Sequence, residues 1–216
     1  MKLLLNCENH KNIEREINEQ LEKLRTMPAN DKTAAAEIAE CVSRIHSHDL
    51  SQTKLPIYDA QWVVDLVREN ENCECKDEII SALEYMSKFE RYSYDGSLTI
   101  EKDKFMTYNV DDLRWQGEYK SGHTGSYVWD IAAIINHIND PSFSDTFLES
   151  YMRHSGKEFT LAGLYSNLYY VQVAEAVMAD EFEEIIRTTR DITERKRFKS
   201  EMISDETLNR LRVNGF

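Results

Sequence analysis

The sequence predicts a mainly α-helical (α+β) protein with a small β element near the middle of the chain. Glycine and proline are scarce, at 7 and 3 of 216 residues, which disfavours an all-β fold because such folds need many tight turns. Apolar residues recur at helical spacing along most of the chain, as in the stripe of Ile13, Ile17, Leu21 and Leu24. The best strand candidates lie between residues 97 and 110.

Four helices are predicted before the centre of the chain, after an apolar run at Lys2–Leu5 that can form an edge strand. The first helix carries the stripe above and ends near Pro28, which interrupts the pattern. Thr33 is a suitable N-cap for the second helix, and apolar residues spaced three and four apart predict the other two. The predicted ranges are Asn12–Leu24, Thr33–His46, Trp62–Val67 and Glu78–Tyr92.

The centre of the chain combines strand candidates with a loop-like segment. Ser97–Ile100 and Phe105–Val110 are short and rich in β-branched or aromatic residues, which favours strands. Gly117–Gly125 contains three glycines and is predicted to be a loop. Beyond it the chain is predicted to be helical almost to its end, with Ser204 capping the last helix. The predicted ranges are Asp130–Ile138, Ser144–His154, Thr160–Met178, Asp180–Lys199 and Ser204–Val213.

The net charge of −13 constrains the partners of this protein. A strongly negative field repels phosphate backbones and anionic lipid, so the sequence predicts neither a nucleic-acid partner nor a membrane-surface partner. The same field attracts a cationic small molecule or a basic patch on a protein partner. Solubility alone is the simpler explanation of the charge, and it stays open at this point.

The cysteines and the hydropathy pattern predict a cytoplasmic location. Four scattered cysteines, Cys7, Cys41, Cys73 and Cys75, read as reduced thiols in a chain of this length, and the last two form C-x-C rather than a C-x-x-C metal or redox motif. The apolar run at the N-terminus ends too early for a signal peptide. No stretch of the sequence approaches the length of a transmembrane span.

Three segments point together to a family. They are IAECVSRIHSHD at residues 38–49, SYVWDIAAIINHI at 126–138, and FLESYMRHSGKEFTLAGLYSNLYYVQVAEAV at 147–177. Their order and spacing resemble the C-terminal lobe of the aminoglycoside phosphotransferases, in the choline-kinase-like superfamily of small-molecule kinases. Ile45-His46-Ser47 resembles the Leu/Phe-His-Ser end of one core helix of that lobe, and Trp129-Asp130-Ile131-Ala132 resembles the start of the next.

The resemblance covers roughly residues 34 to 210 and implies a protein-kinase-like fold. The predicted organisation is therefore a strand/helix extension at residues 1–33 followed by a kinase-like helical lobe at residues 34–216. A kinase of this type binds nucleotide phosphates with a further lobe, and a glycine-rich loop would normally contribute to it. No glycine precedes Gly96 in this sequence, so such a loop is not expected before that point.

The segment YNVDDLRWQGEYKSGHTG at residues 108–125 stands where the family has its catalytic loop. The family pattern is His-x-Asp, an Asn five residues after the Asp, and a second Asp, which together orient the substrate and hold Mg²⁺. Here Asn109 replaces the His, and Gln116 and Gly117 stand five residues after Asp111 and Asp112. The sequence therefore predicts a pseudokinase with no cofactor.

Three functional hypotheses follow. The first is a catalytically inactive kinase-like protein that binds a cationic small molecule or a protein partner. The second is an active ATP-dependent small-molecule phosphotransferase, with Mg²⁺ held at a non-standard site. The third is an interaction protein that forms a homodimer through the tyrosine-rich helix Thr160–Met178.

The candidate site residues surround the central segment. Asp111 and Asp112 are the candidate catalytic residues, and they are also the candidate metal ligands if the chain is active, with Glu118 as a further acidic group. Glu118, His123 and Trp129 are candidate substrate-binding residues, and His123 among glycines can also act as a general base. A solvated loop is the simpler reading of this segment.

Two further residues are expected to be structural. The resemblance implies that Asp130 supports the central loop from a helix N-terminus, where a carboxylate is favoured. His46 lies on the apolar side of its helix and is expected to be a hydrogen-bonded core histidine rather than a ligand.

Two surface and packing features lie near the C-terminus. Tyr165, Tyr169 and Tyr170 share helical spacing with leucines, which favours core packing. The basic residues of Asp180–Lys199 alternate with acidic ones, which predicts a solvated, ion-paired face, with docking of an acidic partner as the alternative.

Overall fold

The computed structural model describes residues 11–26, 32–48, 57–88, 97–100, 107–108, 115–116, 122–195 and 202–214. Within these ranges the protein is mainly α-helical, as the sequence predicts. The helices are α1 (Lys11–Thr26), α2 (Lys32–Ile45), α3 (Ala60–Glu69), α4 (Lys76–Ser87), α5 (Tyr127–Ile138), α6 (Pro141–Ser155), α7 (Leu161–Ala179), α8 (Glu183–Arg195) and α9 (Asp205–Asn214).

Short strands lie between these helices: β1 (Ile57–Tyr58), β2 (Ser97–Ile100), β3 (Thr107–Tyr108), β4 (Trp115–Gln116) and β5 (Gly122–Gly125). β5 pairs in parallel with β1, where Thr124 lies opposite Ile57, and antiparallel with β2. β3 pairs antiparallel with β4. β5 occupies the end of the segment that was predicted to be a loop. Its backbone pairs with a strand on each side, and such pairing uses backbone groups that glycine also has.

Side-chain caps set the starts of several helices. The hydroxyl of Ser126 accepts a hydrogen bond from the backbone N–H of Val128 at 3.2 Å, and α5 therefore begins at Tyr127 rather than at Asp130. The carboxylate of Asp140 accepts from the N–H of Phe143 at 2.8 Å. Pro141 is then the first residue of α6, where its missing N–H costs nothing, and this helix starts three residues before the predicted Ser144.

Three further helix boundaries test the predicted caps and starts: one is confirmed and two are wrong. Ser204 accepts from the N–H of Thr207 at 3.2 Å, so the predicted cap of α9 is confirmed. Asp180 was predicted to start a helix, but it ends α7 in the left-handed region at φ +58°, and α8 starts at Glu183. Thr33 was predicted to be an N-cap, but it lies inside α2, which begins at Lys32.

Helix α7 is the centre of the helical core. It packs against α3, α4, α5, α8 and α9, and its buried residues lie all around the helix, as is expected for a helix apolar on most sides. Two of its polar side chains form hydrogen bonds to neighbouring helices: Ser166 donates to the carbonyl of Met86 in α4 at 2.9 Å, and the Tyr169 hydroxyl lies 2.8 Å from that of Thr189 in α8. These bonds hold α7 to two of its neighbours.

The tyrosines of α7 are core residues. Tyr169 and Tyr170 are fully buried, and Tyr165 is half-buried. Burial raises the pKa of Tyr169 far above its usual range, since the charged form would be desolvated. Because their side chains already pack inside this chain, Tyr169 and Tyr170 do not supply a dimer surface, which corrects that part of the homodimer hypothesis.

Helices α1, α2 and α6 form a second packed group. α2 lies along α6, and α1 covers α2 through the fully buried Ile17 and Leu24.

Cys41, Cys73 and Cys75 are free thiols. Of the helices described, none has both the length and the apolar character needed to cross a lipid bilayer.

We predict that Asp140→Ala destabilises the protein by about 1 kcal/mol, because the first turn of α6 loses its cap. The matched control is Asp140→Ser, which keeps an oxygen able to accept from Phe143 N–H and is expected to lose much less. Urea unfolding followed by circular dichroism measures both. Equal midpoints for Asp140→Ala and the unsubstituted protein would contradict the prediction.

Candidate functional site

The three segments that carry the family resemblance each contribute one residue to a buried hydrogen-bonded cluster. Nε2 of His46, at the end of α2, lies 2.9 Å from Oδ2 of Asp130 in the first turn of α5. Nδ1 of the same ring lies 2.8 Å from the hydroxyl of Tyr151 in α6. The three residues are 2%, 4% and 0% exposed. We refer to His46, Asp130 and Tyr151 as the His46 cluster.

The hydrogen bonds of the His46 cluster have a structural role, because they connect side chains of three helical segments. An ionised carboxylate only accepts hydrogen bonds, so the Nε2–H of His46 donates to Asp130. Nδ1 then faces a hydroxyl, which can either donate to it or accept from it. Both ring nitrogens are satisfied in the core, which is the position expected for His46, and the cluster connects three helices.

Aromatic rings enclose the cluster. The Tyr151 ring meets the His46 ring edge-on at 5.7 Å and stacks on Tyr127 at 6.3 Å. The ammonium group of Lys157 lies 4.6 Å from the centroid of the Tyr127 ring, and the Tyr127 hydroxyl donates to the carbonyl of Glu158. This packing keeps the cluster away from solvent, so it is not a place where a substrate can bind.

Trp129 packs in the core. Its side chain is 5% exposed, and its ring meets that of Trp62 in α3 edge-on at 5.8 Å. Edge-to-face packing of this kind stabilises a core, and the assignment of Trp129 as a substrate-binding residue stays a prediction.

The other predicted site residues are not brought together within the described ranges. Asp111, Asp112 and Glu118 lie outside the residues that the structure describes. His123 lies in β5, where its backbone is opposite Thr99 of β2. In the described part of the chain, no three His, Cys, Asp or Glu residues are grouped so that they can hold a metal ion.

A feature that the sequence did not reveal is an open groove of about 970 Å³ along α5, α7 and α8. Its α7 side consists of Gln172, Glu175, Ala176 and Ala179, which share one helical face. Apolar side chains line it as well, among them Phe182 and Met202. Of the described residues that line this groove, one is an arginine, Arg187, and four are glutamates, Glu175, Glu181, Glu183 and Glu184. We refer to it as the acidic groove.

Two amides hold one of these carboxylates in place. The Gln172 side chain donates to Oδ1 of Asn136 at 3.0 Å, and Nδ2 of Asn136 donates to Oε2 of Glu175 at 2.8 Å. The half-buried Glu175 carboxylate is thus oriented by a chain that crosses from α7 to α5.

A sequence signal for the acidic groove exists but is ambiguous. Gln172 and Glu175 are three residues apart and interrupt the otherwise apolar stretch from Val171 to Ala179, which marks a polar face. Glu183 and Glu184 lie in the first turn of α8, where carboxylates are favoured for local reasons. The position of Asn136 opposite Glu175 is set by the packing of α5 on α7, which the sequence does not display.

No protein-family model matches this chain, and no significant match to it was found among curated proteins or among solved structures. The resemblance to the aminoglycoside phosphotransferases therefore rests on the sequence motifs alone.

We predict that Asp130→Ala costs about 1–3 kcal/mol of unfolding free energy, because it leaves the buried Nε2–H of His46 without its acceptor. The matched control is Tyr151→Phe, which keeps the ring and removes only the hydroxyl at Nδ1. A double-mutant cycle with His46→Leu measures the coupling, and the double variant is expected to cost less than the sum of the two single variants. An Asp130→Ala protein with an unchanged melting temperature would contradict this role.

A pH effect is predicted at His48, two residues beyond the cluster. Its Nε2 lies 3.7 Å from a carboxylate oxygen of Glu16 in α1, and its side chain is 15% exposed. Burial lowers the pKa of His48 below the usual 6.5, and Glu16 opposes this shift. The unfolded chain therefore takes up the proton first, so the stability that neutral His48 contributes is present above 6.5 and is lost as the pH falls through the lower pKa of the folded state.

The measurement is the unfolding free energy between about pH 7.5 and pH 5, a range that spans the ordinary histidine pKa. The unsubstituted protein is expected to lose more stability on acidification than His48→Gln. Glu16→Gln is the informative companion, since it removes the opposing charge and is expected to steepen the loss. Parallel pH profiles for all three proteins would rule the effect out.

Proposed function

We propose that this protein is a kinase-like protein related to the aminoglycoside phosphotransferases, which acts by binding a cationic ligand and not by phosphoryl transfer. In this proposal its helices correspond to the C-terminal lobe of that fold, with the short strands as its small central β element. The acidic groove is the observation that carries the ligand assignment.

The His46 cluster supports the proposed relationship. His46 and Asp130 belong to two of the motif segments and are 84 residues apart in sequence, yet a hydrogen bond joins them. The resemblance implies a structural role for Asp130 at a helix N-terminus, and a buried, hydrogen-bonded aspartate in the first turn of α5 is consistent with that role.

The electrostatics of the acidic groove support a cationic ligand. Its glutamates outnumber its arginine by four to one, and Arg187 is paired with Glu184 at 3.4 Å. Glu175 is oriented before any ligand arrives, which reduces the entropy lost on binding. The net charge of −13 adds a long-range attraction that raises the local concentration of cations.

Binding without phosphoryl transfer is supported by the sequence of the central segment. Asn109 stands where the family pattern has its His. The family Asn is replaced by Gln116 if the count starts at Asp111, and by Gly117 if it starts at Asp112. The alternative of an active phosphotransferase would require Asp111, Asp112 and Glu118 to hold Mg²⁺ at a different spacing. Mg²⁺ and ATP belong to that alternative only.

The test is calorimetric titration with spermine as the cationic probe and, separately, with Mg²⁺-ATP. Spermine is expected to bind with an affinity that falls as salt rises, and Mg²⁺-ATP is expected to give no heat. Glu175→Gln is expected to weaken spermine binding about fivefold, which corresponds to about 1 kcal/mol. Glu84→Gln, which removes the same charge from an exposed position of α4, serves as the control and is expected to change little.

The two halves of the proposal can fail separately. Mg²⁺-dependent ATP binding would contradict the assignment of an inactive protein and favour the phosphotransferase alternative. Spermine binding that Glu175→Gln and Glu84→Gln weaken equally would mean that net charge, and not the acidic groove, attracts the ligand.

A further inference from the structure

The acidic groove has an apolar floor as well as an acidic rim. Ile185 is 3% exposed, and Phe182 and Met202 are half-buried and pack against the core beneath the groove. The rim carboxylates of Glu181, Glu183 and Glu184 are exposed. A ligand that fills the groove therefore meets apolar surface in its centre and negative charge at its edge.

This combination selects among cationic ligands. A linear polyamine carries a charge every few bonds and offers only thin methylene segments, so it gains little from an apolar floor. The groove is open, and its volume of about 970 Å³ lies at the upper end of the range typical of small-molecule sites. An amphipathic helix with a basic face offers both an apolar surface and positive charges, and this arrangement is a recurrent mode of peptide recognition.

We propose that the acidic groove docks a short basic amphipathic helix of a partner protein. The apolar side of that helix contacts Phe182 and Met202, and its Lys and Arg side chains pair with the glutamates of the rim. The flexible thioether side chain of Met202 adapts to different apolar side chains, as methionines do at peptide-binding surfaces. This inference rests on the proposed function, because it identifies the cationic ligand of the same groove.

Charge complementarity is the argument for this occupant over an acidic or neutral one. The rim carries Glu181, Glu183 and Glu184, and the pairing of Arg187 with Glu184 leaves its net charge negative. Complementary charges across an interface speed association and align the partner, while burial of apolar side chains on the floor slows dissociation. The two parts of the groove are thus expected to affect binding differently.

The experiment uses the full chain and two synthetic peptides of leucine and lysine, each long enough for about four helical turns. In the first peptide the leucines fall on one helical face, and the second has the same composition in scrambled order. Fluorescence anisotropy measures the affinity of each labelled peptide, and unlabelled spermine serves as a competitor. Because the peptides have equal charge, any difference between them reports the apolar floor.

We expect the amphipathic peptide to bind at least about tenfold more tightly than the scrambled one, a difference of about 1.4 kcal/mol. Met202→Ser is expected to remove most of that difference, and Met202→Leu, which stays apolar, is expected to keep it. The triple variant Glu181→Gln, Glu183→Gln, Glu184→Gln is expected to weaken both peptides. A triple control at the exposed positions Glu71, Glu74 and Glu84 carries the same charge change and is expected to weaken both peptides less than the rim triple variant does.

The outcomes separate this inference from the proposed function. Equal binding of the two peptides would overturn the helix-docking proposal, and spermine binding that Glu175→Gln weakens would then leave a small-molecule site in the acidic groove. A preference for the amphipathic peptide that survives Met202→Ser in a folded protein, or affinities that the rim triple variant and the control triple variant weaken equally, would place docking elsewhere and also overturn the proposal. Failure of both peptides and spermine to bind would overturn both proposals.

Discussion

The buried imidazole ring of His46 needs a hydrogen-bond partner at each nitrogen, and this need constrains how α2, α5 and α6 are arranged. A buried ring with two polar nitrogens is tolerated in a core only if both nitrogens have partners. Asp130 and Tyr151 supply these partners from two other helices, at 2.9 and 2.8 Å. Since hydrogen bonds tolerate little change in distance or angle, the end of α2 is held to the first turn of α5 and to α6.

The elements around this joint are arranged accordingly. The backbone of β5 runs directly through Ser126 into α5, so the start of that helix is tied both to the short sheet and to the His46 cluster. The ring of Tyr127, one turn from Asp130, stacks on Tyr151 and contacts Lys157 of the connection between α6 and α7. Polar and aromatic contacts therefore stabilise the same junction, and each limits the movement that would break the other.

Helix α5 also connects this junction with the acidic groove. Asp130 lies in its first turn and Asn136 lies six residues later, about 9 Å further along the helix axis. Asn136 holds the carboxylate of Glu175 on α7, which is buried on most of its other sides. The same helix therefore supplies one residue to the His46 cluster and one to the acidic groove.

The sequence by itself determined the mainly helical class, the existence of most helices, and the cap at Ser204, because periodicity and capping are local properties of neighbouring residues. It also marked His46, from its place on the apolar side of its helix, and Asp130, through the family resemblance. The contact between them, the burial of Trp129 against Trp62, and the meeting of Asn136 with Glu175 were decided only by the tertiary structure. Each of these contacts joins residues far apart in the chain, and such pairs depend on which helix faces pack together, which no local pattern specifies.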